Sequence, residues 1–495
     1  MMVLEGKSNL AFCPEYATAQ LSKQCLGRRI CQRNLQNIKK GGSVMGKVSY
    51  KNPKEADKKV RQIRDTLNGV ISEMAKNASS FVVNPEKDFT RKRTLTFERM
   101  LKIILGMGGQ SLNKELADYF MGADDFATKS AFVQQRDKIH PEAFKYLLHK
   151  SNELSSDEKT YMGYRLYACD GTVVNVATNP ENKETHVNSY RHPEGLNQYH
   201  VNTLFDLMNK TYTDAVIQGV RVVDELQAAV SMINNLPLKG KAIFIGDRGY
   251  AAINLMEHCR RKDGMEFLIR VKEGWNTEVK ALPMEEFDVD VPLDIRTTQT
   301  KEDKVAFKNG TAKYISGKSK FGKNKVSQTW DFESKHKMSI RVVRFKITED
   351  KYETIATSLD RGSFPADKIK ELYNMRWGIE TSFRDLKYAI GMVNFHARKD
   401  NAIIQEIFAS LVMYNFSERI TACVVIVCAT PRVYEYQVNF AVSAHICRSY
   451  YRKQENAPPT ILQEIAKYIE PVRQGRADKR KLKAQTVVNF IYRVA

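Results

Sequence analysis

Ala242-Ile243-Phe244-Ile245-Gly246-Asp247-Arg248-Gly249-Tyr250 is the stretch on which the fold turns. Four consecutive apolar residues make a short strand suited to burial on both faces, the kind found inside a sheet covered by helices. The strand runs straight into a glycine and a carboxylate. Helical spacing follows to about Lys262, then a second apolar strand over 267–271. Upstream, Tyr164-Arg165-Leu166-Tyr167-Ala168-Cys169-Asp170 reads as a strand ending on another carboxylate. Residues 200–207 and 212–218 read as two more strands joined by the turn-forming Asn209-Lys210, and 224–235 as a helix. The order β-β-β-α-β-α-β predicts an α/β fold, a mixed sheet with helices on its faces.

Further out the pattern changes. Residues 275–350 show alternating segments such as Ser339-Ile340-Arg341-Val342-Val343-Arg344-Phe345, with dense lysines over 301–325. They read as a basic, β-rich insertion. A strand at 354–359 returns to the sheet, and Pro365 suits the first turn of a long helix reaching Lys387. The core is therefore expected over 160–274 and 351–430. Before it, 46–155 reads as helical. Phe97, Met100, Leu101, Ile104 and Leu105 recur at helix spacing, Ser111 is placed to cap a second helix, and Thr128 or Ser130 a third. That third helix carries Gln134, Gln135, Arg136 and Lys138, a pattern that resembles a base-reading helix, although three-helix bundles without DNA are common. Residues 1–45 hold three of the eight cysteines and show no apolar period. They read as a floppy leader or an extension ahead of a second start at Met45. Residues 431–495 read as a helical, basic C-terminal region, its most basic stretch at 473–483.

Composition narrows the function classes. The chain has 495 residues, and 78 basic against 57 acidic side chains leave a net charge of +21. Such a charge favours a polyanionic partner. No apolar run follows the first basic residues as a signal peptide requires. The longest apolar stretch, 403–429, is interrupted by Glu406, Asn415, Glu418 and Arg419, so it reads as buried helix and not as a membrane span. The eight cysteines include no C-x-x-C pair, and Cys423 and Cys428 lack histidines at zinc spacing, which suits thiols in a reducing cytosol.

The chemistry points to three carboxylates. Asp170 and Asp247 end strands of one sheet, and Glu380 lies on the helix after the insertion. Gathered at one edge they repel each other, and a hard divalent cation with oxygen ligands resolves the repulsion. Two such ions activate an attacking oxygen and stabilise the leaving one. Each residue alone also has a plainer reading: Asp170-Gly171 as a turn, Asp247 as a cap, Glu380 as helix surface. Around Glu380, Tyr373, Arg376, Glu380, Arg384 and Lys387 are spaced by three or four. Leu372, Met375, Ile379, Phe383 and Leu386 form a second, apolar stripe.

Tyr373-x-x-Arg376-x-x-x-Glu380-x-x-x-x-x-x-Lys387 resembles the Y-R-E-K motif of a family of bacterial insertion-sequence DDE transposases. Asp170-Gly171-Thr172 and Asp247-Arg248-Gly249-Tyr250 resemble that family's two Asp motifs. The resemblance covers roughly 85–495. It implies a ribonuclease-H-like core with a β-strand insertion before the last catalytic Glu. It implies Asp170, Asp247 and Glu380 as ligands of two divalent ions, Mg²⁺ or Mn²⁺. Tyr373, Arg376 and Lys387 would then hold DNA phosphates, assisted by Arg248. Trp330, with Trp275 second, is the candidate for stacking a flipped base, beside the simpler reading of each as core. The implied partners are terminal inverted repeats and target DNA, bound by a homodimer in the bacterial cytoplasm at the nucleoid, with no membrane.

Two other classes share these features: a metal nuclease that cuts without joining, and a decayed transposase that only binds DNA. The run Ala312-x-x-x-x-Gly317-Lys318-Ser319 loosely matches a phosphate loop but lacks the strand and helix that such a loop needs.

Overall fold

The computed structural model describes residues 53–91, 93–121, 123–155, 159–189, 192–275, 277–316, 329–349, 351–426, 435–452 and 461–472. The leader, the Gly317-Lys318-Ser319 end of the loose phosphate-loop match and the basic stretch at 473–483 lie outside them.

The molecule is mixed α/β around a large mixed sheet of order β2-β3-β1-β5-β6-β10-β9-β7-β8, with β4 paired to β3. Its strands are β1 (Tyr164–Val176), β2 (His186–Ser189), β3 (His192–Asp206), β4 (Thr211–Gly219), β5 (Lys241–Gly246), β6 (Met265–Val271), β7 (Phe287–Arg296), β8 (Lys313–Tyr314), β9 (Lys335–Thr348) and β10 (Lys351–Thr357). Strands β1, β5 and β6 run parallel, and the others noted pair antiparallel apart from β7 with β8. Strand β5 is the centre the sequence predicts. Ile243 and Ile245 face one core, Ala242 and Phe244 the other, all without solvent exposure. Each such large apolar side chain contributes roughly 1.5–3 kcal/mol by leaving water.

Helices α6 (Glu225–Asn235) and α7 (Ile253–Arg261) cover one face of the sheet. The other is covered by α10 (Ala366–Met375), α11 (Trp377–Arg384) and α12 (Asp400–Thr421). Asp224 caps α6 by accepting from Gln227 N at 3.0 Å. Helix α12 is buried on nearly all sides, and several of its polar groups have protein partners. The Asn415 side chain accepts from Tyr212 N at 2.7 Å and donates to Tyr212 O at 2.8 Å. No helix among the described residues is long and apolar enough to cross a membrane.

Ahead of the sheet lie α1 (Pro53–Lys76), α2 (Phe97–Gly106), α3 (Leu112–Phe120), α4 (Lys129–Arg136) and α5 (Glu142–Glu153). Thr96 caps α2 and Thr128 caps α4 through their side chains, while Ser111 stands at the cap position of α3 without a side-chain bond. After the core come β11 (Glu435–Val438), α13 (Phe440–Arg452), α14 (Ile461–Ala466) and β12 (Ile469–Val472).

Four expectations change. Strand β1 does not stop at Asp170 but continues to Val176, because β3 keeps pairing with it as far as Val176↔Asn197. The insertion is not purely β: it includes α8 (Thr277–Ala281) and α9 (Lys301–Lys308), the latter closed by a Thr300–Asp303 capping box. Its long strands β7 and β9 continue the main sheet through β10. The long helix after Pro365 is interrupted at Arg376 and ends in a π-helical turn, Asp385–Ile390. In α4, Arg136 faces inward and not toward a groove: it is 3% exposed and bonds Gln405 Oε1, Glu406 Oε1 and Ala402 O at 2.9, 2.7 and 2.5 Å.

Candidate active site

The parallel register sets two of the carboxylates side by side. Ala168 pairs with Ile245 as the last partners of β1 and β5, and two residues further along each chain lie Asp170 and Asp247. Strand β5 ends there while β1 runs on beside β3, so the sheet has a notch with a carboxylate on each wall. Glycines make the notch possible. A Cβ on Gly171 would overlap the imidazole of His200 on β3, and one on Gly246 would meet Tyr250 Cβ at 2.9 Å. Asp247 caps the short turn Arg248–Tyr250 by accepting from Gly249 N at 2.7 Å, with Arg248 exposed and Tyr250 buried.

Glu380 reaches this notch from α11. Gly378 lets the helix press on the end of β3, where a Cβ would stand 2.9 Å from Leu207 Cδ2. The Ser382 hydroxyl and the Tyr212 hydroxyl, 2.8 Å apart, fix the helix on β4. Arg376, at the break before α11, joins the carboxylates: its Nη2 donates to Glu380 Oε1 at 2.6 Å and its Nη1 lies 3.5 Å from Asp170 Oδ2.

The electrostatics report the same closeness. Burial, with the charges of Asp247 and Glu380 adding to it, pushes the Asp170 carboxyl up to about 7, against the pull of Arg376 and the Gly171 N–H. Burial works against the Arg376 charge, but Tyr373, Glu380 and Asp170 more than offset it and raise its pKa. Tyr373 is buried, its hydroxyl has no hydrogen-bond partner among the described residues, and burial pushes it up to about 12. Lys387 lies on the π-helical turn, where its Nζ donates to Val173 O of β1 at 2.8 Å and burial lowers its pKa.

The donor set suits a hard divalent cation: three carboxylates, one of them poorly tolerated as an anion, around an arginine whose buried Nε lacks a partner among the described residues. Among the described residues, however, no three His, Cys, Asp or Glu side chains are gathered closely enough to form a finished metal cage. The Arg376 guanidinium spans two of the three carboxylates instead.

Trp330 lies in the core of the insertion, 2% exposed, with its indole N–H on Glu333 O at 2.8 Å and Phe332 and His336 against its ring. Trp275 is half-buried and donates to Ala251 O at 3.0 Å. In this arrangement both are packing residues. Sequence reasoning missed His200, which fills the space over Gly171 and lies 3.3 Å from Glu225 at the start of α6. It also missed the Arg270–Glu353 pair, 3.0 Å apart, whose charges act on Tyr373. Only the glycine after Asp170 hinted that something packs there.

A family model described as "Transposase DDE domain" matches residues 161–416. No curated protein matches the chain. Among solved structures, a piggyBac transposase synaptic complex with hairpin DNA is similar at 10% identity, covering 85% of this chain and 84% of that one, with a TM-score of 0.39.

Proposed function

Since the chain belongs to the DDE transposase family, we propose that it is the cut-and-paste transposase of a bacterial insertion sequence of the Y-R-E-K type, with a ribonuclease-H-like core. The observation that carries this reading is the junction of Asp170, Asp247 and Glu380 at one notch of the sheet, with Arg376 bonded across it.

In this reading Asp170, Asp247 and Glu380 hold two divalent ions, Mg²⁺ or Mn²⁺. Those ions, when bound, supply the charge that activates the attacking oxygen and stabilises the leaving one. The remaining work belongs to side chains. Arg376 moves from the carboxylates to a DNA phosphate, since a planar guanidinium serves either anion. Tyr373 offers its unpartnered hydroxyl beside it. Lys387 and Arg248 hold phosphates on either side, and the sheet keeps the carboxylates fixed, so catalysis rests on positioning and charge. The substrates are terminal inverted repeats and then target DNA, bound by a homodimer, with the helical unit 46–155 serving end recognition. The enzyme works in the cytoplasm at the nucleoid. Residues 160–274 and 351–430 form the catalytic core, 275–350 the insertion, and 431–495 the C-terminal region.

The test uses purified protein, Mg²⁺ or Mn²⁺, and a duplex carrying the repeats that flank the gene. Asp170→Ala, Asp247→Ala and Glu380→Ala should each abolish cleavage and keep most DNA binding. Cleavage by all three variants would refute the assignment. Cuts without joined or hairpin products would indicate a nuclease, and binding without cuts by the wild type a decayed transposase.

A further inference from the structure

The helix that carries Glu380 ends in the π-helical turn Asp385–Ile390, and Lys387 lies within that turn. A π-helical turn is rare and stands singly in α-helical surroundings, so its shape depends on what holds it. From inside the turn, Lys387 Nζ donates to Val173 O of β1 at 2.8 Å. Past its end, Gly391 is left-handed at φ +94°, and the N–H groups of Gly391 and Met392 return to Leu386 O. The last carbonyl of the turn, Ile390 O, is met from another element: it accepts from Arg448 Nη2 of α13 at 2.6 Å. Carbonyls at a helix C-terminus lack partners along the chain, and a cation placed there also meets the negative end of the helix dipole.

Arg448 is committed to this contact. It is the one hydrogen bond of its side chain among the described residues, and its buried Nε has no partner among them. The nearby carboxylates are taken by Arg452, one turn further along α13: its Nη2 bonds Glu115, and its Nη1 lies 3.4 Å from Asp118. Burial, with Arg452 beside it, pulls the Arg448 pKa down to about 10, against Glu115. An apolar side chain of similar length would pack here without a buried, unmet donor. Packing alone therefore does not account for a guanidinium at this place; the bond to Ile390 O does. The base from which Arg448 reaches is fixed. Arg452 Nε donates to Gly106 O at 2.8 Å, which fastens α13 to the end of α2. The α2–α3 loop passes over the guanidinium, where a Cβ on Gly108 would stand 3.2 Å from Arg448 Nη1.

We propose that Arg448 is a positioning residue for the transposase site: by holding Ile390 O it keeps the π-helical turn in register, and the turn in register keeps the Lys387 amine where it meets β1 and a DNA phosphate. The proposal rests on the phosphate role given to Lys387 above and adds the residue that holds it there. Arg448 itself touches no DNA.

The test has two readouts on the full chain. The first is hydrogen–deuterium exchange without DNA or metal. Arg448→Met should speed exchange over residues 385–392 about 10- to 100-fold, the worth of one hydrogen bond from a charged donor, and leave β5 within about twofold. The second is the salt slope for binding the terminal-repeat duplex. Arg448→Met and Lys387→Ala should each reduce it by about one, and the double variant by about one and not two, since both remove the same contact. Arg448→Lys, which keeps a donor for Ile390 O, should retain the wild-type slope. Should Arg448→Met fail to fold by circular dichroism, Arg448→Gln, too short to reach Ile390 O, makes the same comparison. Unchanged exchange over 385–392 overturns the proposal, as do slope losses that add in the double variant. A slope lowered by Lys387→Ala but not by Arg448→Met also overturns it and leaves the phosphate role standing. Faster exchange with a slope that neither variant alters supports the hold on the turn and removes the phosphate role of Lys387 alone.

Discussion

Arg136→Ala separates two readings of one residue. In sequence, Arg136 belongs to a helix with the look of a DNA reader. In the structure its guanidinium is buried against α12 with three hydrogen bonds, one of them the ion pair to Glu406 at 2.7 Å. The Glu406 carboxyl is held down to about 2: burial opposes its charge, and Arg136 and then His396 overcome that penalty. Removing the arginine leaves a buried carboxylate with His396 as its remaining charged partner. Breaking a buried pair on one side costs about 3–5 kcal/mol. For a chain of 495 residues, with an unfolding entropy of about 2.1 cal/mol/K per residue, each kcal/mol is worth about 1 °C, so the transition should fall by about 3–5 °C. Thermal unfolding followed by circular dichroism at neutral pH reads this directly. The double variant Arg136→Met with Glu406→Leu, which replaces the pair by apolar groups of similar size, should recover most of the loss. A single variant that melts like the wild type but loses discrimination among DNA sequences would refute the buried role and restore the groove-reading one.

Two further outcomes follow from named contacts. Lys387→Ala should weaken binding to the terminal duplex and reduce its salt slope by about one, measured by titration across salt concentrations; an unchanged slope would remove Lys387 from the phosphate contacts. The buried cluster around His396 should give the stability a pH window. His396 faces Glu406 at 3.3 Å, Glu115 at 4.0 Å, the Gln110 carbonyl and the charge of Arg136. Burial disfavours its charge, but Glu406 and then Glu115 outweigh that and raise it above its ordinary 6.5. Its contribution is therefore complete below 6.5 and is lost as pH rises through the raised value, while that of Glu406 is complete above 4.5 and is lost as pH falls toward 2. Melting temperature against pH should decline on both sides of this window. His396→Gln should flatten the alkaline side alone, and an alkaline decline identical to wild type would exclude His396 as its source.

The sheet was largely legible because its signals are local. Strand β5 declares itself by four apolar residues, and Asp247 by its place after them. The helices α6 and α7 follow from caps and period. What the sequence hid depends on partners far along the chain. Asp170 looks like a strand end, and only the different lengths of β3 and β5 reveal that β1 continues past it. His200 acquires meaning only across β3, where it fills the space that Gly171 leaves. Arg136 finds its carboxylate 270 residues later, a separation no local pattern records.

The motif helix shows how a correct spacing can still mislead. Residues three and four apart share a face only while the helix keeps one period. Here the period changes on both sides of Glu380: Arg376 keeps helical backbone angles but the turn tightens, with Arg376 N on Tyr373 O and Ile379 N on Arg376 O, and beyond Arg384 the helix widens into a π-helical turn. The five polar residues therefore do not form one stripe. Tyr373 and Arg376 turn inward, Arg384 turns to solvent, and Lys387 reaches across to β1. The consequence is chemical. A uniform helix would line up its charges along one edge, whereas this one sends the Arg376 guanidinium to Glu380 and the Lys387 amine to β1. The π-helical turn thus positions Lys387 as much as its side chain does. A change that restored regular helix across the π-helical turn would rotate Lys387 away from Val173 O while leaving every motif residue in place, whereas Arg376 and Glu380, four residues apart, are a pair that a regular helix keeps.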